Sequence, residues 1–288
     1  MRSYSADHPD CADPRAFGKP GGLILHTLIA LCQIFVYDID YRISEAETNC
    51  AGIRRYRNRR EEKKASMSER LAGILIDSFT KILVPGLMYT IPLTAISFAL
   101  ALVIAVFMAL VQFMNIGGLK QFARFYIWVI RGTPLLVQLY VVFYGLGQLG
   151  LLLPPFLAGI IALSVNEGAY CAETVRAALE SVPKGQMEAG ECVGMSYLQT
   201  MRRIVLPQAM RTAFPPLSNS LISMLKDTSL VANITVAEMF MAAQRIVART
   251  YEPLAIYIEV GAIYLLFSTI LTWLQRRGEK ALNTYEFR

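Results

Sequence analysis

Ionisable residues are few in the apolar body of this 288-residue chain, so the ones that interrupt it stand out. Glu167, Glu173 and Arg176 share one apolar stretch, Lys226 and Asp227 break a second, and Glu259 opens a third. On a helix, Glu173 and Arg176 are i,i+3 neighbours and can pair. Charge in apolar surroundings is costly, and such groups pair, face the interior or line a water-filled path. A path with both signs suits a zwitterion carrying a carboxylate and an ammonium. Ion pairing that ties helices together explains Glu173, Arg176, Lys226 and Asp227 equally well. Glu167 has no near partner in the sequence, which favours a path or cargo contact there. The two histidines, His8 and His26, precede the apolar body, and the five cysteines (Cys11, Cys32, Cys50, Cys171 and Cys192) contain no CxxC pair. No disulfide framework, metal site or cofactor is expected from them. No G-x-x-x-x-G-K-[ST] phosphate loop occurs, so the chain is not expected to hydrolyse ATP by itself or to be an enzyme.

The elements that position these charges are apolar helices. Hydrophobic residues make up 55% of the chain, and its mean hydropathy is +0.42, beyond the roughly 45–50% apolar content of soluble domains. Residues 82–118, 132–166 and 260–275 contain no Asp, Glu, Lys or Arg. Lipid solvates neither charge nor unpaired backbone, so charge-free stretches of about 18 residues or more read as bilayer spans. The expected fold class is all-α, a polytopic membrane protein with five core transmembrane helices at 84–113, 126–148, 155–178, 213–236 and 253–275. Pro85 with Pro92, Pro154 with Pro155, and Pro215 with Pro216 stand at the starts of the first, third and fourth, where proline is tolerated.

Orientation follows from the basic residues. Lys120 and Arg124, then Lys184, Arg202, Arg203 and Arg211, then Arg276, Arg277, Lys280 and Arg288 fall on one side of a five-span chain. The positive-inside rule makes that side cytoplasmic. This accounts for the net charge of +6, and no basic helix interleaved with aromatics points to nucleic acid.

Residues 1–66 differ from the rest. The apolar run 21–37 reads as an extra N-terminal helix, a signal-type segment or an interfacial helix. A basic block at 54–64 follows it, on the side where five spans leave basic residues disfavoured. Met67 begins MSERLAGILIDSFTKILVPG, which reads as a natural start. Two domains are therefore expected: an N-terminal extension at 1–66, native or an upstream addition, and a transmembrane domain at 67–288.

The polar segment 180–211 stands between the third and fourth spans. Pro183 ends the preceding helix, GQMEAGECVGM reads as a short helix, and Ser196 with Gln199 forms a capping box opening the next. A surface hairpin with a turn near Gly194 suits docking of a soluble partner. Its spacing is Glu188-Ala189-Gly190, three residues, Gly194, nine residues, then Ile204-x-Leu206-Pro207. This resembles the EAA loop (EAA-x3-G-x9-I-x-LP) of ATP-binding cassette importer permeases, with Gly190 where alanine is usual. Arg131-Gly132-Thr133-Pro134-Leu135-Leu136 with Gln138 is similar to the RGTPLLVQ signature of the polar amino-acid branch. So are NEGAYCAETVRA (166–177) and PPLSNSLISMLKDTSL (215–230), the last most like cystine-type permeases. Glu167 departs from the small or hydroxylated residue usual at its place.

The resemblance covers 85–278 and implies a permease working with separate subunits. These are an ATPase dimer docked on a coupling loop at 185–207, an extracytoplasmic solute-binding protein, and a second permease copy making a homodimer or heterodimer in the inner-membrane lipid. Within the loop, Glu188, Ala189, Gly190, Gly194, Ile204, Leu206 and Pro207 are the expected coupling residues, the two glycines allowing close approach. Glu167, Glu173, Arg176, Lys226 and Asp227 are the candidate substrate path. A stand-alone secondary transporter or channel is the alternative; it predicts internal repeats and no docking hairpin.

Overall fold

The structure, a computed structural model, describes residues 50–114 and 117–283. The chain divides into two units, Met1–Ser66 and Met67–Arg288. The apolar run at 21–37 lies outside the described residues, and the helical core and the polar hairpin belong to the second unit. No strand occurs among the described residues.

The α-helices of four or more residues among the described ones are α1 (Cys50–Pro85), α2 (Ile91–Phe113), α3 (Gly117–Arg131), α4 (Leu135–Tyr140), α5 (Pro155–Glu180), α6 (Lys184–Cys192), α7 (Tyr197–Thr200), α8 (Leu206–Asp227), α9 (Met239–Thr250) and α10 (Pro253–Asn283). Wider π-helical turns link α1 to α2 (Gly86–Thr90) and α7 to α8 (Met201–Val205), and a third (Val141–Gly145) extends α4; a 3-10 turn (Thr228–Ile234) ends α8. Three runs are long and apolar enough to cross a membrane: Met67–Phe113, Pro155–Glu180 and Pro253–Leu282. Two bent pairs qualify if each is one span, giving up to five. One joins Gly117–Arg131 to Leu135–Gln148 at 104°, the other Tyr197–Ile234 to Met239–Thr250 at 53°.

Two expected spans begin inside longer helical runs, and one is broken. The first, 84–113, belongs to an apolar run from Met67 to Phe113, with Pro85 and Pro92 inside it. Between them the Ile91 N–H reaches back to the Gly86 carbonyl in the π turn. That wider turn gives room at Met88, whose carbonyl Pro92 cannot serve and would otherwise crowd. The fourth, 213–236, likewise begins inside a longer helical run. Pro215 and Pro216 lie inside α8, and the helical run begins at Tyr197, again through a π turn two residues before a proline, Pro207. The second expected span, 126–148, is two helices broken at residues 132–134.

The core is built on α2 and α5, which make the most extensive helix–helix contact. Leu93, Ser97, Ala101, Ala105 and Ala109 recur every fourth residue along α2 and are all fully buried. On α5, a Cβ added at Gly168 would stand 2.9 Å from Ile104 Cγ2, and one at Gly159 3.4 Å from Val231. Small residues let helix backbones approach where lipid provides no hydrophobic drive. A second cluster joins α1, α9 and α10 through Ile82, Met239, Ile256 and Ile263. There Ser78 hydrogen-bonds the Glu259 carboxylate across α1 and α10. Glu238, fully buried, caps α9 by accepting the Met241 N–H at 2.8 Å and the Tyr264 hydroxyl at 3.0 Å.

Candidate functional site

The segment after α5 folds as a tight helical hairpin. Pro183, in an extended conformation, starts α6. The helix ends in a Schellman motif: Met195 N–H donates to the Gly190 carbonyl at 3.0 Å and Gly194 N–H to that of Glu191 at 2.9 Å. Gly194 takes φ +78°, and a Cβ there would meet nothing within 4 Å, so the backbone alone calls for glycine. Ser196 and Gln199 then form the reciprocal capping box that opens α7, with bonds of 3.4 and 2.9 Å. Met201, Val205 and Ala209 bury against Ala178 and Leu179, seating the hairpin on the end of α5.

The structure revises the expected use of Gly190. Its absent side chain is replaced by Thr200 of the same chain: an added Cβ would lie 2.5 Å from Thr200 Oγ1 and 2.6 Å from Cγ2. The glycine lets the two arms of the hairpin come together. Glu188, Ala189, Gly194, Leu206 and Pro207 are exposed, and Ile204 is half-buried. Three apolar side chains cap the tip of this polar segment, Val193 at 74% exposure, Leu198 at 73% and Tyr197 at 47%. Sequence reasoning missed them because no periodicity singles out a two-turn helix.

The five charged path candidates lie on α5 and at the end of α8. Glu167 is buried on α5, near Cys171 Sγ at 3.5 Å, with Ser220 of α8 beside it. Glu173, Arg176 and Glu180 form an ion triad along α5, with Arg176 reaching Glu173 at 2.8 Å and Glu180 at 2.6 Å. Lys226 lies on a separate cavity of about 390 Å³ with Ser229, Phe240, Tyr257 and Tyr264. Among the described residues no cluster of three or more His, Cys, Asp or Glu could hold a metal ion.

Two sequence signatures distant in the chain meet at the break between α3 and α4. Gly132 is held close under α3, where an added Cβ would lie 2.9 Å from the Trp128 carbonyl. Thr133 Oγ1 donates to the Val129 carbonyl at 3.0 Å. Gln138 Nε2 donates to the Ile130 carbonyl at 2.8 Å and to Thr133 Oγ1 at 2.8 Å. Its Oε1 accepts from Asn166 Nδ2 at 3.0 Å. Tyr126 adds a bond to the Val165 carbonyl at 2.6 Å, and the Arg131 guanidinium lies over the Tyr170 ring at 5.2 Å. The Ile130 carbonyl that Pro134 leaves without a donor is thus satisfied by the Gln138 side chain, which also anchors the bend to α5. Gln138 and Asn166 carry this junction; their signal is that both are amides within the charge-free 132–166 stretch.

Comparison with known proteins gives a consistent picture. The family described as binding-protein-dependent transport system inner membrane component matches residues 101–284. The L-cystine transport system permease protein TcyB of Bacillus subtilis (strain 168) is 46% identical over 209 residues, covering 72% of this chain and 89% of that protein. The octopine transport system permease protein OccM of Rhizobium meliloti is 41% identical over 65% of this chain and 80% of its own length. Among solved structures, the crystal structure of an amino acid ABC transporter with histidines aligns with a TM-score of 0.67 at 36% identity. The match covers 72% of this chain and 96% of that one. The helical architecture, the junction of the 131–138 and 166–177 signatures, and these matches lead to one conclusion: the chain belongs to the inner-membrane component family of binding-protein-dependent transport systems.

Proposed function

We propose that this chain is the permease subunit of an ATP-binding cassette importer that carries a polar amino acid, with cystine as the first candidate. The observation that carries the cargo is the 46% identity to a cystine permease along 89% of that protein's length. A separate ATPase dimer powers transport from the cytoplasmic side, a solute-binding protein delivers cargo outside, and a second permease copy completes the path.

The coupling element in this reading is residues 185–207, with Glu188, Ala189, Gly190, Gly194, Ile204, Leu206 and Pro207 as its frame. Exposed apolar groups on a polar, water-facing segment are unusual unless a partner covers them, and Val193, Tyr197 and Leu198 supply such a surface. Glu167, buried on α5, is the preferred cargo contact, with Asp227 at the end of α8. Glu173 and Arg176 satisfy each other and form a charged wall, as does Lys226 on its own side. Residues 67–288 act as the transport domain.

The test is co-expression with the ATPase and binding protein encoded with this chain, followed by uptake of radiolabelled cystine. Uptake that requires ATP and is lost in Leu198→Asp, with the chain still inserted, supports the reading. Cystine uptake by the chain alone in vesicles lacking any ATPase would instead favour a stand-alone transporter.

A further inference from the structure

An open cavity of about 410 Å³ lies between the ends of α2, α3 and α5, and the transport reading does not use its basic α3 lining. Lys120, Arg124 and Arg131 line it from α3 together with Ile127, at positions i, i+4, i+7 and i+11 that form one stripe of the helix. Arg176 lines it from α5 with Glu173 and Glu180, already joined in the ion triad. Four cations against two carboxylates leave a net charge of +2 in the cavity. Arg124 makes no ion pair among the described residues. On the α2 side, Gln112 lines the cavity beside the Glu173 carboxylate.

The cavity has a second character at its rim. Trp128 lines it and is 72% exposed, and Phe125, 62% exposed, lies against it with ring centroids 6.0 Å apart. The basic lining therefore passes without a break into an exposed aromatic face of the same helix. A free anion would use only the basic half. An amphiphile uses both, and basic pockets between spans, bordered by interfacial tryptophan, are where anionic headgroups are retained.

We propose that this cavity holds the headgroup of an anionic phospholipid. Its phosphate sits among Lys120, Arg124 and Arg131, and an acyl chain lies along Trp128 and Phe125. The site does not depend on the cargo, and its test involves no transport. The sequence contains two tryptophans, so a Trp273→Phe background makes Trp128 the sole fluorophore. The full chain is reconstituted in phosphatidylcholine bilayers containing a minor fraction of either brominated phosphatidylglycerol or brominated phosphatidylcholine.

The expected result is that Trp128 is quenched preferentially by brominated phosphatidylglycerol. Arg124→Gln with Arg131→Gln lowers that preference by about tenfold, as expected for lost headgroup contacts. Arg124→Gln alone, which leaves the ion triad unchanged, lowers it more weakly and serves if the double variant does not fold. Inorganic phosphate added at fixed ionic strength leaves the preference intact. Equal quenching by the two lipids overturns the proposal, as does a preference unchanged by these variants. Displacement by inorganic phosphate would make this a site for a free anion. Absence of quenching by either lipid would mean that protein, such as a second copy, covers this face.

Discussion

Gly190 shows how one residue departs from a family pattern at no cost to its surroundings. Glycine inside a helix costs roughly 0.5–1 kcal/mol relative to alanine, so alanine, usual at this place in the EAA pattern, would be favoured on propensity alone. Thr200 reverses that preference, because its Oγ1 and Cγ2 occupy the space an alanine methyl would take. The Thr200 hydroxyl has no hydrogen-bond partner, so its role at this contact is one of volume. Gly190→Ala is expected to destabilise the hairpin by about 1–3 kcal/mol through overpacking. Gly190→Ala combined with Thr200→Ala should recover most of the loss. The measurement is thermal unfolding of the purified chain in detergent across the four members of the cycle, and additive single effects would refute the coupling.

At the scale of elements, prolines and one glycine decide where helices widen, break and turn. Pro92 and Pro207 each follow a π turn, so helix continues past a residue that lacks an N–H. Pro134 has no such turn before it, and α3 breaks from α4 at 104° with Gln138 closing the open Ile130 carbonyl. Gly194 performs the tightest reversal, at φ +78°. A β-branched residue in that conformation is strained by about 1–2 kcal/mol, although space for its side chain is available. Gly194→Val is therefore expected to leave the chain inserted and soluble in detergent while misaligning α6 and α7. Its readout is loss of ATPase retention on affinity-purified permease; retention equal to the unmodified chain would show that the turn's geometry is not used in docking.

For the whole molecule, orientation is the property with the widest consequences, since it decides which end meets the ATPase. Cys192 is exposed on the hairpin and Cys171 is buried among the spans. With Cys11, Cys32 and Cys50 replaced by serine, a membrane-impermeant maleimide should label Cys192 in inside-out vesicles and not in intact cells with a sealed membrane. Labelling from outside would reverse the proposed topology and place the basic ends of the spans against the positive-inside rule. The arrangement of the charges sharpens the same picture. The Glu173–Arg176–Glu180 triad is tied along α5, while Lys226 and Asp227 sit together at the end of α8.

Some of this was determined by the sequence alone. Charge-free stretches demand helices in lipid, because each backbone group there must find its partner within its own segment. Those stretches, with the 188–207 spacing, made an all-helical transporter subunit legible before any coordinates. The capping box at Ser196 and Gln199 was equally legible, since it depends on residues three apart. What only the tertiary structure decided depends on groups far apart in the chain. Hydropathy averages over a window, so it could not register that the apolar 126–148 run folds back at Gly132–Pro134, nor that π turns precede Pro92 and Pro207. It could not assign Gly190 to Thr200 or Gln138 to Asn166. Each pairing is set by how the helices pack, and packing is a property of facing surfaces that no local spacing encodes.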